Sequence, residues 1–164
     1  MDATLLQLGD IGIRGDVQRL AFRDLTLDAG NDGLFDMRSG ALVLDLERVR
    51  IVRFDAAHGG CHVFDARGVL IRARDSKIIG GYGRHPGHGD LFRSGPILAR
   101  FSRCRFELLD MSLSRVGSRG RVLFQDCSFH LLEENPMLAA TENVQFAGGV
   151  FGAIWEPNTP RQEL

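Results

Sequence analysis

Two carboxylates and a guanidinium recur in this chain at nearly constant spacing: Asp36, Asp65 and Arg93, separated by 29 and 28 residues. Their surroundings recur with them, as Leu34-Phe35-Asp36-Met37-Arg38-Ser39-Gly40, Val63-Phe64-Asp65-Ala66-Arg67-Gly68 and Leu91-Phe92-Arg93-Ser94-Gly95. Each segment reads as a short strand running into a glycine-containing turn. Alternation along such a strand turns Phe35 and Phe64 inward and sends Asp36 and Asp65 outward. Stacked strands would bring the three residues into one surface column, with steps of roughly 5 Å. Carboxylates that close repel one another unless a cation, a shared proton or a guanidinium compensates. A compensated pair of this kind is raw material for ligand binding or for acid–base work. The competing reading is local: each aspartate precedes an arginine–glycine turn and bonds the backbone amides there.

A second group of chemically capable residues lies in the glycine-rich stretches before those strands. Four of the five histidines are here: His58, His62, His85 and His88. The spacings from His58 to His85 and from His62 to His88 are 27 and 26 residues. Both match the repeat, so the pairs are expected to stack, and with Cys61 or Asp90 they could hold a transition metal. Solvated polar loops are the plainer reading. His130 is expected to be structural. The chain shows no Ser-His-Asp arrangement, no phosphate loop and no basic–aromatic stripe for nucleic acid.

The elements that must position these groups come from an internal repeat. A hexapeptide recurs as Phe22-Arg23-Asp24-Leu25-Thr26-Leu27, Leu46-Glu47-Arg48-Val49-Arg50-Ile51 and Ala73-Arg74-Asp75-Ser76-Lys77-Ile78. Later copies are Phe101-Ser102-Arg103-Cys104-Arg105-Phe106, Phe124-Gln125-Asp126-Cys127-Ser128-Phe129 and Phe146-Ala147-Gly148-Gly149-Val150-Phe151. Their first positions are 24, 27, 28, 23 and 22 residues apart. A fixed corner with loops of variable length elsewhere satisfies that pattern. Alternating strands precede the corners, such as Ala41-Leu42-Val43-Leu44-Asp45-Leu46 and Ile97-Leu98-Ala99-Arg100-Phe101. Ile11-Gly12-Ile13-Arg14-Gly15 reads as an earlier copy of the aspartate strand, and Arg119-Gly120 as a degenerate later one. Each repeat therefore runs strand, glycine turn, strand, tight polar corner, strand and long loop. The predicted fold is all-β: a right-handed parallel β-helix, or solenoid, of about six coils. Phenylalanine at the first corner position in four of the six copies predicts an internal aromatic stack. Cys104 and Cys127 fall in one column of adjacent coils and read as a small apolar ladder rather than a disulfide.

This repeat, over about residues 11–151, resembles the pectate-lyase-like superfamily of β-helices. The resemblance implies a polysaccharide partner along the aspartate strands, with Asp36 and Asp65 holding Ca²⁺ that bridges to a uronate carboxylate. Calcium favours such oxygen ligands. It also implies Arg93 beside the acidified proton as a base, which demands a depressed pKa. The two acids could instead do the work of a glycoside hydrolase. Gly87-His88-Gly89 matches a short motif of polygalacturonases and makes His88 a catalytic candidate. The rest of that family's pattern is missing: Asn31-Asp32-Gly33 is not its Asn-Thr-Asp, no Asp-Asp pair occurs, and no Arg-x-Lys follows. A pentapeptide-repeat helix is the nearest rival fold, since Phe101 to Phe106 and Phe124 to Phe129 are five apart. The polar stretch from Gly80 to Asp90 breaks that period.

Composition is consistent with one domain of 164 residues. Residues 1–10 are expected to form an N-terminal cap or edge strand and residues 152–164 a C-terminal cap, covering strand edges that would otherwise aggregate. Trp155 would plug the last coil, and a short helix fits Met137–Thr141. Twenty glycines against five prolines fit repeated turns rather than a linker. A net charge of −1 gives no general attraction to nucleic acid or membrane. No apolar run approaches the roughly 18–20 residues of a membrane span. Nineteen of the twenty basic residues are arginine, with Lys77 the exception; arginine grips carboxylates at two points, as a uronate ligand would require. Codon bias in a GC-rich genome explains the same excess. The resemblance implies an extracellular protein, although Met1–Leu6 lacks the features of a secretory signal. Three cysteines without CxxC spacing argue against a disulfide framework and against zinc. The expected function is carbohydrate binding or processing, with lyase or hydrolase chemistry if catalytic. The alternative is a noncatalytic structural or assembly β-helix module, and a homo-oligomer is compatible with either.

Overall fold

A computed structural model of the chain describes residues 4–7, 11–12, 18–28, 35–37, 43–54, 62–66, 69–80, 90–92, 96–107, 113–116, 118–131 and 143–153. These residues form an all-β structure of three sheets in which every strand pairing is parallel. Numbered in chain order, the seven-stranded sheet runs β1 (Thr4–Gln7), β4 (Leu25–Asp28), β7 (Arg50–Phe54), β10 (Lys77–Gly80), β13 (Arg105–Glu107), β15 (Ser128–Leu131), β17 (Val150–Ala153). The six-stranded sheet runs β3 (Arg19–Arg23), β6 (Val43–Glu47), β9 (Leu70–Arg74), β12 (Leu98–Ser102), β14 (Arg121–Gln125), β16 (Val144–Ala147). The four-stranded sheet runs β2 (Ile11–Gly12), β5 (Phe35–Met37), β8 (His62–Ala66), β11 (Asp90–Phe92). From β3 to β13 the chain visits the six-, seven- and four-stranded sheets in strict rotation, so neighbours in a sheet are one circuit apart. This arrangement is compatible with a β-solenoid. Among the described residues no helix is long and apolar enough to cross a membrane.

Parallel sheets are normally covered on both faces. Here β9 instead alternates exposed and buried residues, and β12 nearly so. The reason lies in the rotation: the inward faces of the three sheets cover one another, and the outward faces stay in water. The hexapeptides sit over one another as their sequence predicts. Phe22, Leu46, Ala73, Phe101, Phe124 and Phe146 form one register column. Leu27, Ile51, Ile78, Phe106, Phe129 and Phe151 form another. The expected aromatic stack is present twice. Phe101, Phe124 and Phe146 stack at centroid separations of 5.2 and 5.1 Å, and Phe106 stacks on Phe129 at 5.2 Å. The two columns meet edge to face, and Phe64 and Phe92 of the four-stranded sheet close on Phe101 at 6.3 Å each. Such pairs add about 0.5–1.5 kcal/mol each beyond their burial.

The corner between the six- and seven-stranded sheets has a single backbone solution. The third hexapeptide position is left-handed in every copy: Asp24, Arg48, Asp75, Arg103 and Asp126 have φ between 50° and 55°, and Gly148 has φ 69°. Holding arginine there costs roughly 1–2 kcal/mol per residue. Two hydrogen-bond ladders offset the cost. The third-position N–H donates to the second-position carbonyl of the next circuit, as from Asp75 to Ser102 at 3.0 Å and Arg103 to Gln125 at 2.8 Å. The fifth-position N–H donates to the fourth-position carbonyl of the preceding circuit, as from Arg105 to Ser76 at 2.9 Å. Small side chains at the fourth position then fold back. Ser76 Oγ donates to the Arg74 carbonyl at 2.8 Å, and Cys104 and Cys127 Sγ donate to the Ser102 and Gln125 carbonyls at 3.4 Å each. Both cysteines are free and buried. Their mutual hydrogen bond and burial push the Cys104 thiol up, away from ionisation.

One element was not anticipated. Leu113–Val116 is a 3-10 turn packed against β11, with Leu113 and Val116 buried. Their three-residue separation is the signal for such a turn, because side chains at i and i+3 eclipse in a 3-10 helix. Arg119-Gly120 follows it and leads into β14, the place where a glycine turn was expected. Trp155 and the 137–141 segment lie outside the described residues.

Candidate functional site

The four-stranded sheet carries the aspartate strands. Asp36 pairs with Asp65 across β5 and β8, between the neighbouring pairs Phe35–Phe64 and Met37–Ala66. Gly12 occupies the same register position one circuit earlier, and Phe92 pairs with Phe64 one circuit later. The two aspartates are therefore adjacent rungs of one column, about 4.8 Å apart along the backbone. Phe64 is fully buried, as the alternation requires. Arg93 and His88 lie outside the described residues, as do His58 and His85. The expected stacking of His62 on His88 is corrected: the register sets Asp90 beside His62. The spacing argument failed because the register repeats at 28 residues here, whereas His62 and His88 are 26 apart. Among the described residues no three His, Cys, Asp or Glu side chains gather as a metal site.

The six-stranded sheet holds a feature that the sequence reading missed. Its outward face is layered by charge, with Arg19 and Arg23 on β3, Asp45 and Glu47 on β6, Arg72 and Arg74 on β9, and Arg100 with Ser102 on β12. These residues line an open concavity of about 330 Å³. Asp45 accepts from Arg19 Nε at 2.5 Å and from Arg72 Nε at 2.7 Å. Glu47 pairs with Arg23 at 3.3 Å and Arg74 at 2.6 Å, and also with Arg48. Arg100 instead donates to the neutral Gln125 Oε1 at 2.9 Å. The signal for this face was present in the alternating strands, as the outward residues of segments read only for their apolar positions.

A third charged column follows the left-handed corners. Arg48 grips Asp24 through Nε at 2.5 Å and Nη2 at 2.7 Å, and Arg103 grips Asp75 at 2.7 and 2.8 Å. The hydrogen bond from Arg48 holds the Asp24 carboxyl below the usual range, and that from Arg103 does the same for Asp75. Burial pulls Asp45 upward, but the Arg72 and Arg19 hydrogen bonds outweigh it and leave this carboxyl low too. At Glu107 burial is likewise outweighed, by Lys77 and Arg105.

These lowered carboxylates set a pH dependence. A folded pKa below the unfolded one contributes stability that is complete above the unfolded value and is lost as pH falls through the folded value. The melting temperature is expected to be flat above about pH 5 and to fall below about pH 4, where unfolded Asp and Glu take up protons. Thermal melts across that interval check it; a melting temperature that holds or rises in acid would contradict the pairing. Added salt narrows the effect, since most of the guanidiniums are half exposed.

No protein-family model, curated protein or solved structure matches this chain.

Proposed function

We propose that the chain winds as a right-handed parallel β-helix of about six coils, of the pectate-lyase-like kind, and binds a uronate-bearing polysaccharide along its four-stranded sheet. The observation that carries this reading is the in-register Asp36–Asp65 pair. Two like charges on adjacent rungs cost stability unless something neutralises them. Two carboxylates offer up to four oxygens, whereas Ca²⁺ takes six to eight. The pair fits half a calcium shell, to be completed by water and by the carboxylate of a bound uronate. When bound, the ion would neutralise the pair and anchor the sugar acid. Arg93 is the residue proposed to meet the next carboxylate along the column. Lyase or glycoside hydrolase chemistry, with Arg93 or His88 in a proton-transfer role, is the catalytic extension of the same site.

The test is thermal stability with and without Ca²⁺, followed by absorbance of unsaturated products on a panel of uronate polymers. A site with millimolar affinity stabilises by about 1.4 kcal/mol at tenfold excess, or roughly 3–6 °C in a domain of this size. That shift is expected in the wild type and absent in Asp36→Ala and Asp65→Ala. A second reading, a noncatalytic structural or assembly module, is favoured by the ion pairs that spend many described charges between circuits. No calcium shift and no turnover would select it.

A further inference from the structure

The concavity on the six-stranded sheet has charge left over. Its two carboxylates, Asp45 and Glu47, are only 15% and 13% exposed, whereas the Arg72 and Arg74 side chains that pair with them are 47% and 57% exposed. The acids therefore lie beneath a layer of guanidinium groups, and a molecule approaching from solvent meets the arginines first. Both acids are also shared. Asp45 serves Arg19 and Arg72, and Glu47 serves Arg23, Arg48 and Arg74. One circuit further along, Arg100 stands directly beside Arg72 in register, and its guanidinium is met by the neutral Gln125 side chain. Like charges on adjacent rungs are unfavourable. Arg72 holds Asp45 through Nε and Nη2, and Arg74 pairs with Glu47. Yet both acids are shared with other arginines and Arg100 meets a neutral partner, so cations outnumber anions on this face.

We propose that this face is a second carboxylate-binding surface, in which Arg72, Arg74 and Arg100 hold a uronate polymer independently of calcium. The guanidinium plane matches a carboxylate at two points. Arg72 and Arg100 are separated by one strand spacing, about 4.8 Å, so adjacent acid groups of one short polymer segment can engage both. Ser102, beside Arg74 in register, offers a hydroxyl to the sugar. Only the identity of the ligand rests on the function proposed above; the site lies on a different sheet and needs neither Asp36 nor Asp65.

Binding of an oligogalacturonate of several units, measured by calorimetry in excess EDTA, tests the proposal. The wild type is expected to bind, to weaken as salt rises, and to lose binding when the probe's carboxyls are methyl-esterified. Arg72→Gln with Arg100→Gln is expected to weaken binding at least tenfold, the loss of one charge-assisted contact or more. Arg100→Lys, which keeps the charge but not the two-point geometry, should fall between. Arg72→Gln also breaks the two-point pair with Asp45, so each variant is melted alongside the wild type, and a retained cooperative melt excludes misfolding. Undiminished binding by the double glutamine variant overturns the proposal, as does absence of binding in EDTA. Binding confined to calcium and abolished by Asp36→Asn leaves the first reading standing and this one refuted. EDTA-resistant binding that disappears with the arginines and survives Asp36→Asn does the reverse. Tighter binding of a DNA duplex than of the oligogalacturonate would overturn the ligand class.

Discussion

Phe124→Ala is expected to destabilise the fold by about 4 kcal/mol, the upper part of the range for emptying a buried aromatic site. The ring is completely buried and stands where both phenylalanine columns meet. It stacks on Phe101 at 5.2 Å and Phe146 at 5.1 Å, and presents an edge to Phe106 at 5.5 Å and Phe129 at 5.3 Å. Removing it takes away a large apolar surface and four ring contacts at once. Collapse into the space is resisted because each neighbour is fixed by its own register pair, Phe101 and Phe146 on either side of Phe124 itself. Domains of this size are stable by roughly 5–15 kcal/mol, so the substitution removes a large fraction of the whole. Urea denaturation reads the loss from the midpoint at unchanged slope. A loss below about 1 kcal/mol would mean that the stack is not the core. Phe22→Ala provides the contrast: that ring is only partly buried, in the first rung of its column, where Leu46 and Ala73 follow. Its expected cost is less than half as great.

Gly120→Ala is expected to cost about 3 kcal/mol, for reasons of space rather than backbone angle. A Cβ at this position would fall 2.2 Å from the Val116 carbonyl oxygen, 2.7 Å from Val116 Cγ1 and 2.8 Å from the Ile97 carbonyl oxygen. Neither carbonyl is free to withdraw. Val116 accepts from the Ile97 N–H at 3.2 Å, and Ile97 accepts from the Arg121 N–H at 2.7 Å. Relief of the clash therefore breaks a hydrogen bond between the 3-10 turn and the six-stranded sheet, adding that loss to the 1–3 kcal/mol typical of overpacking. Gly148→Ala is the control. Its φ of +69° strains any side chain, but the new Cβ would meet the carboxylate oxygen of Asp126, at 2.4 Å, which can swing away. A cost near 1 kcal/mol is expected there. If Gly120→Ala proves no worse than Gly148→Ala in equilibrium unfolding, the turn is not clamped as described.

The corners were legible in the sequence because their geometry constrains several positions together. A left-handed third residue, an inward first and sixth, and a small or apolar fourth leave a recurring signature even when loop lengths differ. That is why Phe101, Phe124 and Phe146 could be superposed from spacing alone. The adjacency of Asp36 and Asp65 was legible for the same reason, as both follow a phenylalanine in strands whose register pairs Phe35 with Phe64. The arginine face was not, because it belongs to no single segment. Arg72, Arg74 and Arg100 become a surface only when four strands are laid side by side and their outward residues read across rather than along. His62 marks the opposite limit: loop length between strands sets which residue stands beside it, and periodicity carries no information about loop length.

The left-handed corner residues alternate in sign through successive circuits, from Asp24 to Arg48, Asp75, Arg103 and Asp126. The electrostatic period of the molecule is thus twice its structural one. Deleting a single internal circuit would set Asp24 against Asp75, or Arg48 against Arg103, and leave one like-charge junction in the column. Growth or shortening of such a protein by duplication is neutral in charge only when two circuits move together.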